Sequence, residues 1–226
     1  MANGDVAADY YLRQPERPLS KGRLFVVSGP SGVGKDTVIE QFLPMMPGIL
    51  LNVSATTRPP RPGESEGDPY FFVSVADFRT MVEMDSFLEY ARVNGNLYGT
   101  PRAWVEEQRG KGIDVLLKID VQGGLTVRTK VRDAVLIFLM PPSVGELERR
   151  LRSRSTETEE QITTRLLDAR SELQQIPNYD YAVMNDDVHR AADLLRAIFL
   201  AERCRVRHEG SDGSASVPWT APHTHE

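Results

Sequence analysis

Gly29-Pro30-Ser31-Gly32-Val33-Gly34-Lys35-Asp36-Thr37 is the stretch on which the fold turns. It follows an apolar run, Leu24-Phe25-Val26-Val27, and leads into a helix-like segment, Thr37-Val38-Ile39-Glu40-Gln41-Phe42-Leu43. Strand, glycine-rich turn and helix form the context in which G-x-x-x-x-G-K binds phosphate. Glycines let successive backbone N–H groups converge on an anion with no Cβ in the way, and the helix N-terminus adds favourable partial charge. Gly29 to Thr37 is therefore a candidate nucleoside triphosphate loop, with Lys35 reaching the β- and γ-phosphates. One position departs from the pattern. Asp36 stands where a Ser or Thr hydroxyl would meet magnesium.

On both sides of this loop, strand-like and helix-like segments alternate. The strand candidates are the short apolar runs Leu24–Ser28, Ile49–Val53, Ile113–Ile119, Ala134–Leu139 and Tyr181–Val183. The helix candidates are Thr37–Leu43, Pro101–Gly110, Gly124–Val131, Val144–Arg152, Glu159–Gln175 and Val188–Arg205. Apolar strands separated by helices imply a parallel sheet covered on both faces and joined by right-handed crossovers. The expected class is α/β: a P-loop NTPase-type parallel sheet flanked by helices. From Ser54 to Thr100 the rhythm breaks. Aromatic runs at Tyr70–Val73, Phe87–Tyr90 and Asn96–Tyr98, with Asn94-Gly95 as a hairpin turn, predict a small β-rich insertion. Arg150 to Arg165 is dominated by charge and reads as a solvated helical hairpin or a mobile lid. Residues 1–22 are expected to form a flexible arm. Residues 207–226, rich in Gly, Ser, Pro and His, are expected to form a disordered tail, its histidines solvated rather than metal-bound.

Composition narrows the function classes. The chain has 226 residues, enough for one substantial core with a small insertion. A formal charge of −5 argues against extended binding to a nucleic-acid backbone, so any anion must be met by local basic clusters. No apolar run approaches the ~20 residues that cross a bilayer. The first residues lack the basic-then-apolar pattern of a secretory signal. A single cysteine, Cys204, excludes an intramolecular disulfide and reads as incidental on the last helix. The expected location is cytoplasmic.

A second informative stretch is Ser54-Ala55-Thr56-Thr57-Arg58-Pro59-Pro60-Arg61-Pro62-Gly63-Glu64, running on to Gly67-Asp68-Pro69-Tyr70-Phe71-Phe72. Two arginines three residues apart in a loop stiffened by prolines can present a prearranged cationic fork to phosphate. This string closely resembles the signature of guanylate kinases, which transfer the ATP γ-phosphoryl group to GMP. The resemblance continues through Phe87-Leu88-Glu89-Tyr90, Gly95-Asn96-Leu97-Tyr98-Gly99-Thr100, Ile119-Asp120-Val121-Gln122-Gly123, Pro141-Pro142-Ser143 and Glu146 to Leu151, and ends near Asn185-Asp186. It covers roughly residues 23–205 in register. It implies a core of residues 23–53, 101–149 and 166–206, a GMP-binding insertion at 54–100 and a lid at 150–165.

Carried over residue by residue, the resemblance implies that Arg58, Arg61, Tyr70 and Tyr98 bind the GMP phosphate. Ser54, Glu89, Thr100 and Asp120 would read the guanine base. Lys35, Arg58, Arg150, Arg154 and Arg165 would be the catalytic cations, the last three from the lid, and Asn185 would lie near the ATP base. The base assignment has an independent chemical reason. Guanine offers donors at N1 and N2 and an acceptor at O6, so a carboxylate such as Glu89 can accept from both donors while the hydroxyls of Ser54 and Thr100 donate to O6. Adenine would face Glu89 with a lone pair, and a site built for such bonds rejects the analogue by about 10⁴-fold or more. The lid arginines could equally pair on the surface with Glu157, Glu159 and Glu160.

The family pattern is broken at two positions. Asp36 replaces Ser, Thr or Gly, and Lys118 occupies a strand end where the family often has an acid. Asp36 is a candidate ligand for magnesium, the expected cofactor with ATP, directly or through water. The same Asp36 resembles the loop of ribose 1,5-bisphosphate phosphokinases, which is the enzymatic alternative. A non-catalytic guanylate-kinase-like interaction module is the other. The expected partners are ATP and GMP, with dGMP as a further acceptor, and neither nucleic acid nor membrane.

Overall fold

β1 (Leu24–Ser28) is buried along its whole length, as a strand covered on both faces must be. Its side chains alternate between two cores. Phe25 and Val27 point into one, with Val38, Ile39 and Phe42 of α1 (Lys35–Phe42) and with Leu195 and Phe199 near the C-terminal end of the chain. Leu24 and Val26 point into the other. The computed structural model describes residues 21–93, 95–153 and 158–205.

After α1 the chain forms β2 (Ile49–Leu51) and then leaves the core. A second sheet follows: β3 (Ser54–Thr56), β4 (Ser65–Glu66), β5 (Pro69–Phe72), α2 (Val75–Glu83), β6 (Phe87–Val93) and β7 (Asn96–Pro101). α3 (Arg102–Gly110) returns to the core, which continues with β8 (Asp114–Lys118), α4 (Val121–Lys130), β9 (Val135–Met140) and α5 (Val144–Arg152). α6 (Glu159–Leu173), β10 (Tyr181–Met184) and α7 (Val188–Cys204) complete it. The core sheet has the order β2-β8-β1-β9-β10, and every pairing is parallel. The second sheet has the order β4-β5-β3-β7-β6 and is mixed. The α/β class and the parallel sheet flanked by helices are as the sequence implies.

The order of the core strands positions the site. The chain goes from β1 to β2 at one edge, while β8 and β9 flank β1 on either side. In such sheets the crevice for ligands opens at the carboxyl end of the strand where the order reverses. That end of β1 runs straight into Gly29.

Several boundaries differ from the sequence expectation. α4 starts at Val121, three residues early, because the Asp120 side chain caps it by accepting from the Gly123 N–H at 2.6 Å. β2 ends at Leu51, short of Val53. α2 was not expected within the insertion. Ser74 caps it by accepting from the Asp77 N–H at 3.0 Å, and its Phe78 stacks on Phe87 with ring centroids 4.6 Å apart. Lys21 and Gly22, expected in the flexible arm, are tied to the core: the Gly22 N–H donates to the Arg109 carbonyl at 2.7 Å, and Lys21 pairs with Glu106. The remainder of the arm, Asn94, residues 154–157 and the tail from 206 lie outside the described residues.

Candidate active site

The loop after β1 is shaped by glycines at φ values that side chains rarely adopt. Gly34 has φ +96, and a Cβ there would come within 2.7 Å of the Asn185 amide nitrogen. That nitrogen donates to the Val33 carbonyl at 2.7 Å, so Asn185, just past β10, clamps the loop from the edge strand two places away from β1. Its own Oδ1 is buried and accepts nothing among the described residues. Lys35 folds back over the loop, donating to the Gly29 carbonyl at 2.5 Å and the Pro30 carbonyl at 3.3 Å. Burial pushes the Lys35 ammonium pKa below its usual value, against Glu172, Asp120 and Asp36, which raise it. Asp36 and Thr37 are both exposed in the first turn of α1. Asp36 forms an ion pair with Lys118 at the end of β8.

Three of the base-reading candidates, Glu89, Thr100 and Asp120, lie close together. β6 carries one extra residue against β7, since Phe87 pairs with Pro101 but Tyr90 with Gly99. Such a bulge re-aims a side chain. Here both Leu88 and Glu89 are buried, and Glu89 lies against Thr100, whose hydroxyl donates to Glu89 Oε1 at 2.5 Å. Burial lifts the Glu89 carboxyl to about 7; the Thr100 bond lowers it and the nearby Asp120 charge raises it. A Cβ on Gly123 would stand 3.0 Å from Glu89 Oε2 and 3.2 Å from Asp120 Oδ1, so the glycine keeps that face of both carboxylates open. Ser54 accepts from the Asn52 side-chain amide at 3.1 Å, which leaves the Ser54 proton to donate. Asn52 is a residue that sequence reasoning missed; its Oδ1 is buried and unpartnered among the described residues.

Arg58 stands in the loop between β3 and β4. Its NH2 bonds both oxygens of Glu64, at 2.8 and 2.9 Å, and its NH1 bonds the Pro59 carbonyl at 2.9 Å. Its Cζ lies 5.4 Å from the centre of the Tyr70 ring and 5.8 Å from that of Phe72. Tyr70 meets Tyr98 edge to face at 5.6 Å. Glu64, then the Tyr98 hydroxyl, raise the pKa of the Arg58 guanidinium. Glu64 also accepts from the Arg61 N–H at 2.7 Å and so folds the loop around one carboxylate. Arg61 itself is exposed on the same turn. The role of Glu64 was signalled only by its place in the motif. The two threonines before Arg58 are structural: Thr56 donates to the Leu97 carbonyl at 3.0 Å, and Thr57 accepts from the Leu97 N–H at 2.9 Å.

The charged segment reaches the loop from above. Arg150 donates to the carbonyls of Val33 at 3.2 Å and Asn185 at 3.0 Å, while Glu146 accepts its Nε at 2.8 Å. Arg165 donates to the Ser31 hydroxyl at 2.6 Å. Arg152 pairs with Glu148 and Glu159. Arg154 lies outside the described residues.

Comparisons with known proteins agree on one family. The family model described as guanylate kinase matches residues 21–202. The chain is 49% identical over 188 residues to the guanylate kinase of Syntrophomonas wolfei, covering 83% of this chain and 96% of that one. It is 47% identical over 188 residues to that of Desulfitobacterium hafniense, covering 83% and 94%. Among solved structures, the guanylate kinase of Anaplasma phagocytophilum superposes with a TM-score of 0.63 at 36% identity, covering 82% of this chain and 88% of that one.

Proposed function

Because this chain belongs to the guanylate kinase family and transfers the γ-phosphoryl group of ATP to GMP, we propose that three residue groups divide the work. The loop from Gly29 to Thr37, with Asn185 behind it, holds the ATP phosphates. Arg58, Arg61, Tyr70 and Tyr98 hold the GMP phosphate. Ser54, Glu89, Thr100 and Asp120 read the guanine. The observation that carries this reading is the placement of Asp120. Its carbonyl accepts from the Ser28 hydroxyl, just before the loop, at 3.1 Å, and its carboxylate and that of Glu89 both border Gly123, which supports one crevice for the two nucleotides.

Thr100 gives its proton to Glu89. The donor to guanine O6 is therefore Ser54, and Thr100 orients the carboxylate that accepts from N1 and N2. The attacking group is an oxygen of the GMP phosphate, whose second pKa near ~6 leaves it ionised at neutral pH, so no general base is needed. What the reaction needs is in-line alignment and neutralisation of two polyanions. Lys35, Arg58, Arg150 and Arg165 supply that charge. Arg150 and Arg165 already lie on the loop, and closing the segment at 150–165 over it would exclude water that would otherwise hydrolyse ATP.

Magnesium fits this site as a partner carried by ATP. No group of three or more His, Cys, Asp or Glu able to hold a metal exists among the described residues. Magnesium is ordinarily held by one or two carboxylates plus phosphate oxygens, and Asp36 offers one exposed carboxylate beside the loop. Asp36 would hold the ion, directly or through water, and the ion would supply positive charge against the phosphates. Among the described residues no helix is long and apolar enough to cross a membrane.

The test is a coupled assay with ATP and magnesium and, in turn, GMP, dGMP, AMP and ribose 1,5-bisphosphate. GMP is phosphorylated, and dGMP as well, since none of the proposed base and phosphate contacts involves the 2′-hydroxyl. AMP turnover comparable to GMP would overturn the base-reading assignment.

A further inference from the structure

We propose that Lys118 is a second phosphate-binding ammonium of the ATP site, held at the rim of the loop by Asp36 until the triphosphate takes it over. The proposal rests on ATP occupying the loop at Gly29–Thr37. Position is the first argument. Lys118 ends β8 and pairs in register with Val27 of β1, one residue before Ser28 and two before the loop begins. The carboxyl ends of adjacent strands at the reversal of strand order are where ligand-binding side chains stand.

Orientation is the second argument. The Lys118 ammonium is bonded to Asp36, the second residue of α1. The first-turn N–H groups of that helix are the ones that face an anion. Lys118 is also near enough to Lys35 for the two charges to oppose each other. Two ammonium groups thus converge on one loop, an arrangement that a polyanion relieves.

Exposure is the third argument. The Lys118 and Asp36 side chains are 36% and 68% exposed, so their pair contributes little to stability and exchanges readily. Lysine carries its charge on a flexible four-carbon stem and can swing from one acceptor to another. A triphosphate presents several anionic oxygens against one carboxylate. Asp36 alone, at a helix N-terminus where phosphate must bind, would repel the ligand; paired with Lys118 it does not.

A rival account is that Lys118 only neutralises Asp36 and never touches ATP. Calorimetric titration of ATP in excess EDTA separates the two. It compares the full-length wild type with Lys118→Met, Asp36→Ser, the double variant Asp36→Ser/Lys118→Met, and Asp36→Ser/Lys118→Arg. In the Asp36→Ser background the carboxylate that Lys118 bonds is gone. There, direct contact predicts that Lys118→Met weakens ATP by about tenfold, the scale of one charge-assisted contact. It also predicts that Lys118→Arg keeps most of the affinity and that AMP binding at the same loop is unchanged. A loss of less than about twofold in that background overturns the proposal, as does an equal loss for AMP. Wild-type protein that binds no ATP would overturn the loop reading itself, and this outcome is distinct from wild-type binding that Lys118→Met leaves intact.

Discussion

GMP binding to this protein should release a proton from Glu89 at neutral pH. The carboxyl is buried against Thr100 and lifted from 4.5 to about 7, with burial as the main cause and the Asp120 charge adding to it. In the free protein, half the molecules then carry a neutral Glu89 at about pH 7, ~0.9 of them at pH 6 and ~0.1 at pH 8. Bound guanine needs the ionised form, because Oε1 is already accepting from Thr100 and the carboxylate must accept from N1 and N2 besides. Binding therefore releases ~0.5 proton per site at pH 7 and ~0.1 at pH 8. The GMP phosphate titrates near ~6 as well, so Glu89→Gln is the reference, titrated at concentrations that saturate its weaker site. Calorimetry in two buffers of different ionisation heat gives the proton count, and the quantity of interest is wild type minus variant. A difference below ~0.1 proton at pH 7 would refute the reasoning. Stability follows the same linkage. Glu89 has a raised folded-state pKa, so its contribution is fully present below 4.5 and is lost as the pH rises through 7. Relative to Glu89→Gln, the free wild type should lose up to about 3 kcal/mol in urea unfolding between those limits.

Lys35→Ala should lower kcat by about 10²- to 10³-fold, the scale for removing one transition-state donor. GMP affinity measured without ATP should stay unchanged, because Lys35 bonds only the loop carbonyls. A parallel loss of GMP affinity would place Lys35 in the wrong half of the crevice. Arg58→Lys keeps the charge but loses the planar fork that bonds Glu64 and the Pro59 carbonyl at once and lies near the Tyr70 and Phe72 rings. It should raise KM for GMP by about tenfold, and steady-state kinetics showing an unaltered KM would remove Arg58 from the phosphate site. Phe199→Ala empties the contact with Phe25, whose ring centroid is 3.6 Å away, and with Phe42 at 4.8 Å. It should cost about 3–5 kcal/mol in denaturant unfolding.

What could be read from the sequence was mostly local. The strand, glycine turn and helix from Leu24 to Phe42 are contiguous, and each part has its own residue-level cause, so their reading survives except that the helix starts at Lys35 rather than Thr37 and ends at Phe42 rather than Leu43. The fully apolar strands identified a covered sheet, but nothing in a run such as Val135–Met140 says which strand lies beside it. Within the insertion the aromatic runs drew attention to strands and hid α2. Its signal was present at Ser74-Val75-Ala76-Asp77, where a serine precedes an acid by three residues. The bulge that turns Glu89 inward depends on a one-residue mismatch between two strands, which no single segment displays. Asp36 and Lys118 were each conspicuous in the sequence as departures. Eighty-two positions separate them, so their meeting at the loop needs the fold.

The cations of this crevice share a design that explains how so much positive charge persists without a phosphate to bind. Arg58 leans on Glu64, Lys118 on Asp36 and Arg150 on Glu146. Lys35 is held only by carbonyls, and burial drives its pKa down. Each acid cancels repulsion among neighbouring cations, and Glu64 and Glu146 also fix a guanidinium in place before substrate arrives. The same acids oppose phosphate binding, because each offers its cation an alternative partner. The arrangement therefore favours ligands whose charge density exceeds that of a single carboxylate. That condition admits nucleotide phosphates and disfavours the monoanions that an unbalanced cluster of arginines and lysines would otherwise collect.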